Sequence, residues 1–290
     1  MRVLVVGRGP VAQVLATSVA PEHRVGLALR ERTTEPLLVG TRRLRAAGLA
    51  KRFKQRRVDV VTVDDRTRSW DVVISTASPA STKVAQLLGR QSSAMIAAVT
   101  QVPSEVAMLR ELAGGRPWGL VVPEFFAAGA DPAWWWQPAR FRFTAAGPAE
   151  ASLRSLLAGT RNSPLASPLV SAATTMPVVA GLQVADFDLA SARRSSKELA
   201  IAATQARNAV AAEYGGRGPR AIHPHAVRAA LTVFPRVAPF DVQHYLRSHF
   251  GGHTAQTVRM LRDWVALGRQ HGLPTDELEG LSHATEEAAE

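Results

Sequence analysis

A strand-like segment, Arg2–Val6, runs directly into Gly7-Arg8-Gly9-Pro10-Val11-Ala12 and then into a stretch of helical spacing, Val11–Val19. Strand, G-x-G-x-x-A and helix in that order admit few folds. The first glycine permits a tight turn, the second lets backbone approach a pyrophosphate, and the small third position allows the helix to pack closely on its strand. A helix N-terminus offers unpaired N–H groups to an anion, and Pro10 sits where a missing N–H had no intrahelical partner. The sequence therefore predicts a dinucleotide site built from Gly7, Gly9, Pro10, Val11 and Ala12.

Sites that hold the ribose of NAD carry an acidic residue at the end of the second strand. Here that place is Arg30, within Leu27-Ala28-Leu29-Arg30-Glu31-Arg32. Arg30 and Arg32 suit a 2′-phosphate, which points to NADP(H). Glu31, offset by one residue, keeps an NAD reading open, and an ordinary solvated arginine is the competing account of Arg30. Thr76, just after the strand-like Asp71–Ser75, joins the cofactor-binding set.

The first half continues to alternate. Arg24–Leu29, Val58–Val63, Asp71–Ser75, Ala94–Val99 and Gly119–Val122 read as short apolar strands, with helical spacing over Thr82–Leu88 and Pro103–Leu112. That alternation predicts a doubly wound α/β sheet. Arg140–Ala145 reads as a last strand before a helix from about Ala149 to Ala158, and Asn162-Ser163-Pro164 with Ser167-Pro168 marks a loop. From about Pro177 strand signals vanish and helical spacing takes over. One helix is expected over Ser195–Tyr214, ending at Gly215-Gly216. Another runs from near Thr254 to Gly272, with Pro274 just beyond. The expected organisation is a dinucleotide-binding domain over 1–165 and an all-α domain over 166–290, its acidic tail fraying after Ser282.

The absence of cysteine excludes disulfides, thiolate metal sites and thiol catalysis, and fits a cytoplasmic protein. Arg2–Val6 is too short for a signal-peptide core, and no stretch approaches the roughly eighteen apolar residues of a membrane span. A net charge of +11 raises the question of nucleic acid. Arginine is spread along the chain and no DNA- or RNA-binding signature occurs, so neither nucleic acid nor membrane is expected as a partner. The one dense basic run, Lys51-Arg52-Phe53-Lys54-Gln55-Arg56-Arg57, equally suits an anionic cofactor. The Trp134-Trp135-Trp136 run with Phe125-Phe126 reads as packing between domains or, less simply, as an apolar pocket wall. His223 and His225 lack carboxylate company, and no metal site is expected.

With the fingerprint at its start, Val25-Gly26-Leu27-Ala28-Leu29-Arg30 as second strand and a helical second half, the chain resembles the ketopantoate reductase family. Ser196-Lys197-Glu198-Leu199-Ala200-Ile201 is similar to the opening of that family's catalytic helix, and His271-Gly272-Leu273-Pro274-Thr275 to the phrase closing a later one. The resemblance implies a Rossmann domain followed by a helical domain of the 6-phosphogluconate-dehydrogenase type. It also implies a lysine that donates a proton to a carbonyl oxygen while NADPH provides hydride. Lys197 matches that lysine, a register one residue later puts Glu198 there, and a plain surface lysine is the competing account. Such a cation lowers the barrier because hydride addition leaves negative charge on oxygen.

Other family positions are altered. The glutamate that holds substrate hydroxyls falls on Gln256, and the asparagine after the fifth strand falls on Gln101. The asparagine one turn along the catalytic helix falls on Ile201 or Ala202, and the carboxylate-binding serine falls on His244. Gln256 keeps hydrogen-bonding capacity but not charge. His244 is a candidate acid or base near neutral pH, against the plainer account of a polar surface residue.

The leading expectation is an NADPH-dependent reductase of a keto or imine group on a small anionic substrate other than ketopantoate. The alternative is a repurposed member catalysing a cyclisation or isomerisation, and a third reading is a cofactor-sensing protein. Monomer and homodimer remain open.

Overall fold

A computed structural model describes residues 1–29, 37–44, 52–63, 68–91, 94–129, 132–216 and 220–288. It divides into two compact units, residues 1–164 and 165–290.

In the first unit, β1 (Arg2–Val6) leads into α1 (Pro10–Ser18), β2 (Arg24–Leu29), β3 (Leu37–Arg43), β4 (Arg52–Thr62) and β5 (Val72–Ser75). Next come α2 (Thr82–Arg90), β6 (Met95–Ala98), α3 (Pro103–Ala113), β7 (Trp118–Pro123), β8 (Phe126–Ala128) and β9 (Ala133–Trp136). The unit closes with β10 (Phe143–Ala146), α4 (Glu150–Leu156) and β11 (Thr160–Ser163). The strands form one sheet in the order β11-β10-β7-β6-β5-β1-β2-β4-β3-β9-β8. From β7 to β4 neighbours pair in parallel. The chain leaves β1 towards β2 on one side and reaches β5 on the other, which makes the β1–β5 boundary the switch point of a doubly wound sheet.

Central strands are buried on both faces, hence their unbroken apolar runs. Val3, Val5 and Ile74 join the core with α1, while Leu4, Val73 and Ile96 are equally buried on the alternate positions. The sheet curls round α1, which packs against β1, β2, β3, β4, β8 and β9. Its residues from Ala12 to Ser18 are all buried. Thr17 Oγ1 meets Thr41 Oγ1 of β3 at 3.2 Å in that interior.

Several expectations need correction here. The loop expected around Asn162-Ser163 is strand β11, paired in parallel with β10. The tryptophan run is β9, and Trp135 lies in the core of this unit, edge-on to Phe125 at 5.8 Å. The basic run does not reach the phosphate turn. Thr62 of β4 pairs beside Leu29 at the carboxyl end of β2, whereas Arg52–Arg57 lie at and beyond that strand's amino end, paired with β3. Arg56 there donates to the carbonyls of Val19, Ala20 and His23, capping the carboxyl end of α1.

The second unit holds α5 (Ala166–Val184), α6 (Leu189–Arg194), α7 (Ser196–Tyr214), α8 (Pro224–Val237), α9 (Val242–Phe250), α10 (Thr254–Gln270) and α11 (Asp276–Glu287). Helix begins at Ala166, well before Pro177, and α5 is long and apolar enough to cross a membrane by length and composition. Half of that helix is buried in the unit. Gly181 of α5 lies against Leu199 of α7, where a Cβ would sit 2.3 Å from Leu199 Cδ2. An alanine row on α7 (Ala202, Ala206, Ala209) lets its neighbours approach, and Trp264 of α10 is fully buried. The tail does not fray after Ser282: Ser282 and Thr285 are buried and α11 continues to Glu287.

Candidate functional site

Gly7 adopts φ +124°, closed to other residues, and a Cβ on it would lie 2.2 Å from Thr76 Oγ1. Thr76 holds the turn from the other side of β1, its N–H and Oγ1 both donating to Val6 O at 2.9 and 2.8 Å. Gly9 is extended and forms the N-cap of α1, accepting Gln13 N–H at 3.2 Å. A Cβ on Gly9 would meet nothing within 4 Å, so the backbone borders open space. Pro10 begins the helix, no side chain caps it, and its first turn has no acidic residue. Ala12 is fully buried and would lie 3.8 Å from a Cβ on Gly7. Val11 is half-buried on the same turn. The turn thus presents a positive helix end with no side-chain cap beside open space, the arrangement that suits an anion. Arg30 and Arg32, expected to set the cofactor's phosphate preference, lie outside the described residues.

Beside this turn, at the same carboxyl edge of the sheet, stands a carboxylate that sequence reasoning missed. Glu105, in the first turn of α3, is 1% exposed. Ser78 Oγ, from the loop after β5, donates to one of its oxygens, and Thr100 Oγ1, after β6, donates to the other at 2.5 Å. Thr100 Oγ1 also accepts from Val102 N–H at 3.2 Å. One buried carboxyl group therefore ties together the two loops next to the switch point. Gln101, half-buried, follows Thr100 directly.

In the second unit, Lys197 is exposed at the second residue of α7, and Glu198 lines a cavity of about 410 Å³ with Gly181, Ser195 and Glu277. His244 is exposed on α9, where Asp241 accepts its backbone N–H at 3.0 Å. Gln256 is half-buried on α10. Among the described residues no hydrogen bond or ion pair links the side chains of Lys197, His244 and Gln256, so the unit presents them singly. Helix α9 is anchored by Arg247, donating to Asp186 O at 2.7 Å, and by Gln183 Nε2 donating to Phe250 O at 3.0 Å.

The His271–Thr275 phrase has a structural role. Gly272 is left-handed, Leu273 N–H returns to Gly268 O at 2.8 Å, and His271 Nε2 meets Glu213 of α7 at 3.0 Å. Burial, with Glu213 and Asp263 nearby, pushes the neighbouring Tyr214 hydroxyl up to about 12. His249 is lowered to about 4, mainly by burial and then by His253. Among the described residues no group of three or more potential ligands could hold a metal.

No family model matches the chain, and no curated protein matches its sequence. Solved structures do resemble it. The 2-dehydropantoate 2-reductase of Geobacter metallireducens superposes with a TM-score of 0.68 at 15% identity, over 99% of this chain and 100% of that one. A dimeric ketopantoate reductase from Staphylococcus aureus gives 0.66 at 11% identity, over 100% and 99%. Octopine dehydrogenase, solved with NADH and agmatine, gives 0.68 at 13% identity, over 100% and 89%. At these identities the likeness speaks for architecture: from end to end, this chain has the fold of the ketopantoate reductases.

Proposed function

We propose that the protein is a diverged member of the ketopantoate reductase family: an NADPH-dependent reductase of a keto or imine group, on a small anionic substrate other than ketopantoate. The observation that carries this reading is the turn after β1, where Gly7 at positive φ packs against Thr76, the Gly9 backbone borders open space and no side chain caps the start of α1. Octopine dehydrogenase, of the same fold and solved with NADH, supports a nicotinamide cofactor.

On this reading residues 1–165 form the NADP-binding domain and residues 166–290 the substrate and dimerisation domain. Gly7, Gly9, Pro10, Val11, Ala12 and Thr76 hold the diphosphate, and Arg30 with Arg32 receives the 2′-phosphate. The bound cofactor supplies hydride to the carbonyl or imine carbon. Lys197 donates the proton to the developing anion, and its exposed ammonium carries the charge that an oxyanion needs. Gln256 and Gln101 contribute neutral hydrogen bonds where the family uses a glutamate and an asparagine, which disfavours pantoate as product. His244 binds a substrate carboxylate. The dimeric S. aureus neighbour favours a homodimer over a monomer.

Titration with NADPH and NADH, followed by cofactor fluorescence, tests the first half. The expected result is tighter binding of NADPH. Failure of both to bind would overturn the proposal. Once a substrate is found among anionic keto acids and imines, Lys197→Ala should lower kcat by about 100-fold or more with NADPH affinity unchanged. Unchanged turnover would remove Lys197 from the mechanism.

A further inference from the structure

The formal charge of the chain belongs to one unit. Residues 1–164 contain 23 Lys and Arg against 12 Asp and Glu, whereas residues 165–290 contain 12 of each. Between residues 41 and 57 there are eight basic residues and no acidic one. The described part of this segment is the β3–β4 pair, at the end of the sheet away from the phosphate turn, so cofactor binding does not account for it.

Strand alternation sorts these side chains onto two faces. Val39, Thr41, Arg43, Lys54, Arg56 and Val58 turn towards α1 and Trp135. The inner cations crowd one another. Burial and then the charges of Arg142 and Arg56 lower Lys54, and burial and then Arg43 lower Arg142. Leu38, Arg42, Phe53, Gln55 and Arg57 occupy the other face, where Leu38 is 57% and Phe53 53% exposed. Phe53 pairs across to Arg42, and Arg42 across to Trp134 of β9, giving an aromatic–guanidinium–aromatic row on three adjacent strands. The Phe53 ring covers Gly40, whose added Cβ would lie 3.1 Å from it. Arg42, Arg57 and Arg24 make no side-chain hydrogen bond or ion pair among the described residues. An open cavity of about 520 Å³, lined by His23, Arg24, Arg56, Arg57 and Asp59, continues from the foot of the strands.

We propose that this outer face of β3 and β4 binds single-stranded nucleic acid, with bases stacking on Phe53 and Arg42 and phosphates held by Arg57 and Arg24. An exposed aromatic ring, Phe53, beside unpaired arginines on the outer face of the curled sheet fits unpaired bases joined by phosphates, because every base offers a π-face and every linkage an anion. Folding alters the weight of the sequence observations. Eight of the 35 basic residues fall within residues 41–57, and strand pairing sets Arg42 of this run between Phe53 of β4 and Trp134 of β9, which are about eighty residues apart in sequence.

The test is fluorescence anisotropy of a labelled 15-nucleotide oligothymidylate and its oligouridylate counterpart with the full chain, across a salt series. Binding by the wild type is expected. Phe53→Leu keeps an apolar cover over Gly40 but removes the π-face, and should weaken binding by about 10-fold with an unchanged salt slope. Phe53→Tyr should restore it. The double variant Arg24→Gln with Arg57→Gln should reduce the slope of log affinity against log salt by about 1.4, two phosphate contacts at about 0.7 each. Circular dichroism melting separates these effects from misfolding. Four results would overturn the proposal: no binding by the wild type, equal binding by Phe53→Leu, competition by inorganic polyphosphate or polyglutamate as strong per charge as by oligonucleotide, or capture by anionic phosphatidylserine vesicles without oligonucleotide binding.

Discussion

The two units hold their candidate residues in opposite ways. In the first, backbone builds the site: Gly7 at φ +124°, Thr76 against it, and a helix start with no side-chain cap. In the second, Lys197, His244 and Gln256 are side chains on separate helices with no hydrogen bond between them. A site made by backbone tolerates few residue types at each position, so it keeps its form while the surrounding sequence diverges. Side chains on helix surfaces can be exchanged one at a time.

The contrast is broken most sharply at Gly7. Gly7→Val places a branched side chain at a backbone angle closed to it and against Thr76 Oγ1. Strain and overpacking together should cost about 3–4 kcal/mol in denaturant unfolding, and NADPH binding should disappear. The second unit, with its own core around Trp264 and Leu199, should retain its cooperative transition. Retention of cofactor binding by Gly7→Val would show that the turn is not the nucleotide site.

A smaller effect separates the units by pH. His249 stacks on Tyr245 with ring centroids 5.3 Å apart and is held at about 4, below the ordinary 6.5. As pH falls from 6.5 towards 4, the unfolded chain takes up a proton that the folded ring refuses. Stability is therefore lost on acidification through this window, by about 3 kcal/mol for this ring when complete, and none is lost above pH 6.5. In the first unit the lowered groups are Lys54, Arg56 and Arg142, which titrate at high pH and contribute nothing to that window. His249→Phe keeps the stack and removes the proton site. The difference between its unfolding curve and that of the wild type should grow from pH 6.5 to pH 4, and parallel curves would refute the assignment.

Legibility follows the same division. β1, α1, α3 and α7 are readable because an apolar run or 3.6-residue spacing coincides with glycine or proline at an end, and β2 and β5 because of their apolar runs. β3 and β9 are not: Leu37–Arg43 owes its strand to pairing with β4, and three consecutive tryptophans carry no alternation. α11 looks like a solvated acidic tail until Leu278, Ser282 and Thr285 are seen packed. The role expected of Lys197 rests on residue type and resemblance, whereas Glu105 is invisible in sequence because Ser78 and Thr100 reach it only through the fold.

Glu105 gives the finest test of how far the backbone-built edge depends on side chains. Its carboxylate accepts from two hydroxyls in a nearly water-free place, and removing it altogether would leave both without that acceptor. Glu105→Gln is gentler. The amide oxygen still accepts one hydroxyl, and the other hydroxyl can rotate to accept from the amide nitrogen. The network then survives with one bond reversed and its charge assistance lost, at a cost of about 1 kcal/mol in unfolding. If the loops after β5 and β6 border the cofactor, the same substitution should weaken NADPH binding while leaving the Gly7 turn intact, so the loss in affinity should be smaller than for Gly7→Val. Equal affinity in Glu105→Gln and the wild type would mean that backbone alone shapes this edge, and the contrast between the units would then extend to every residue of the candidate site.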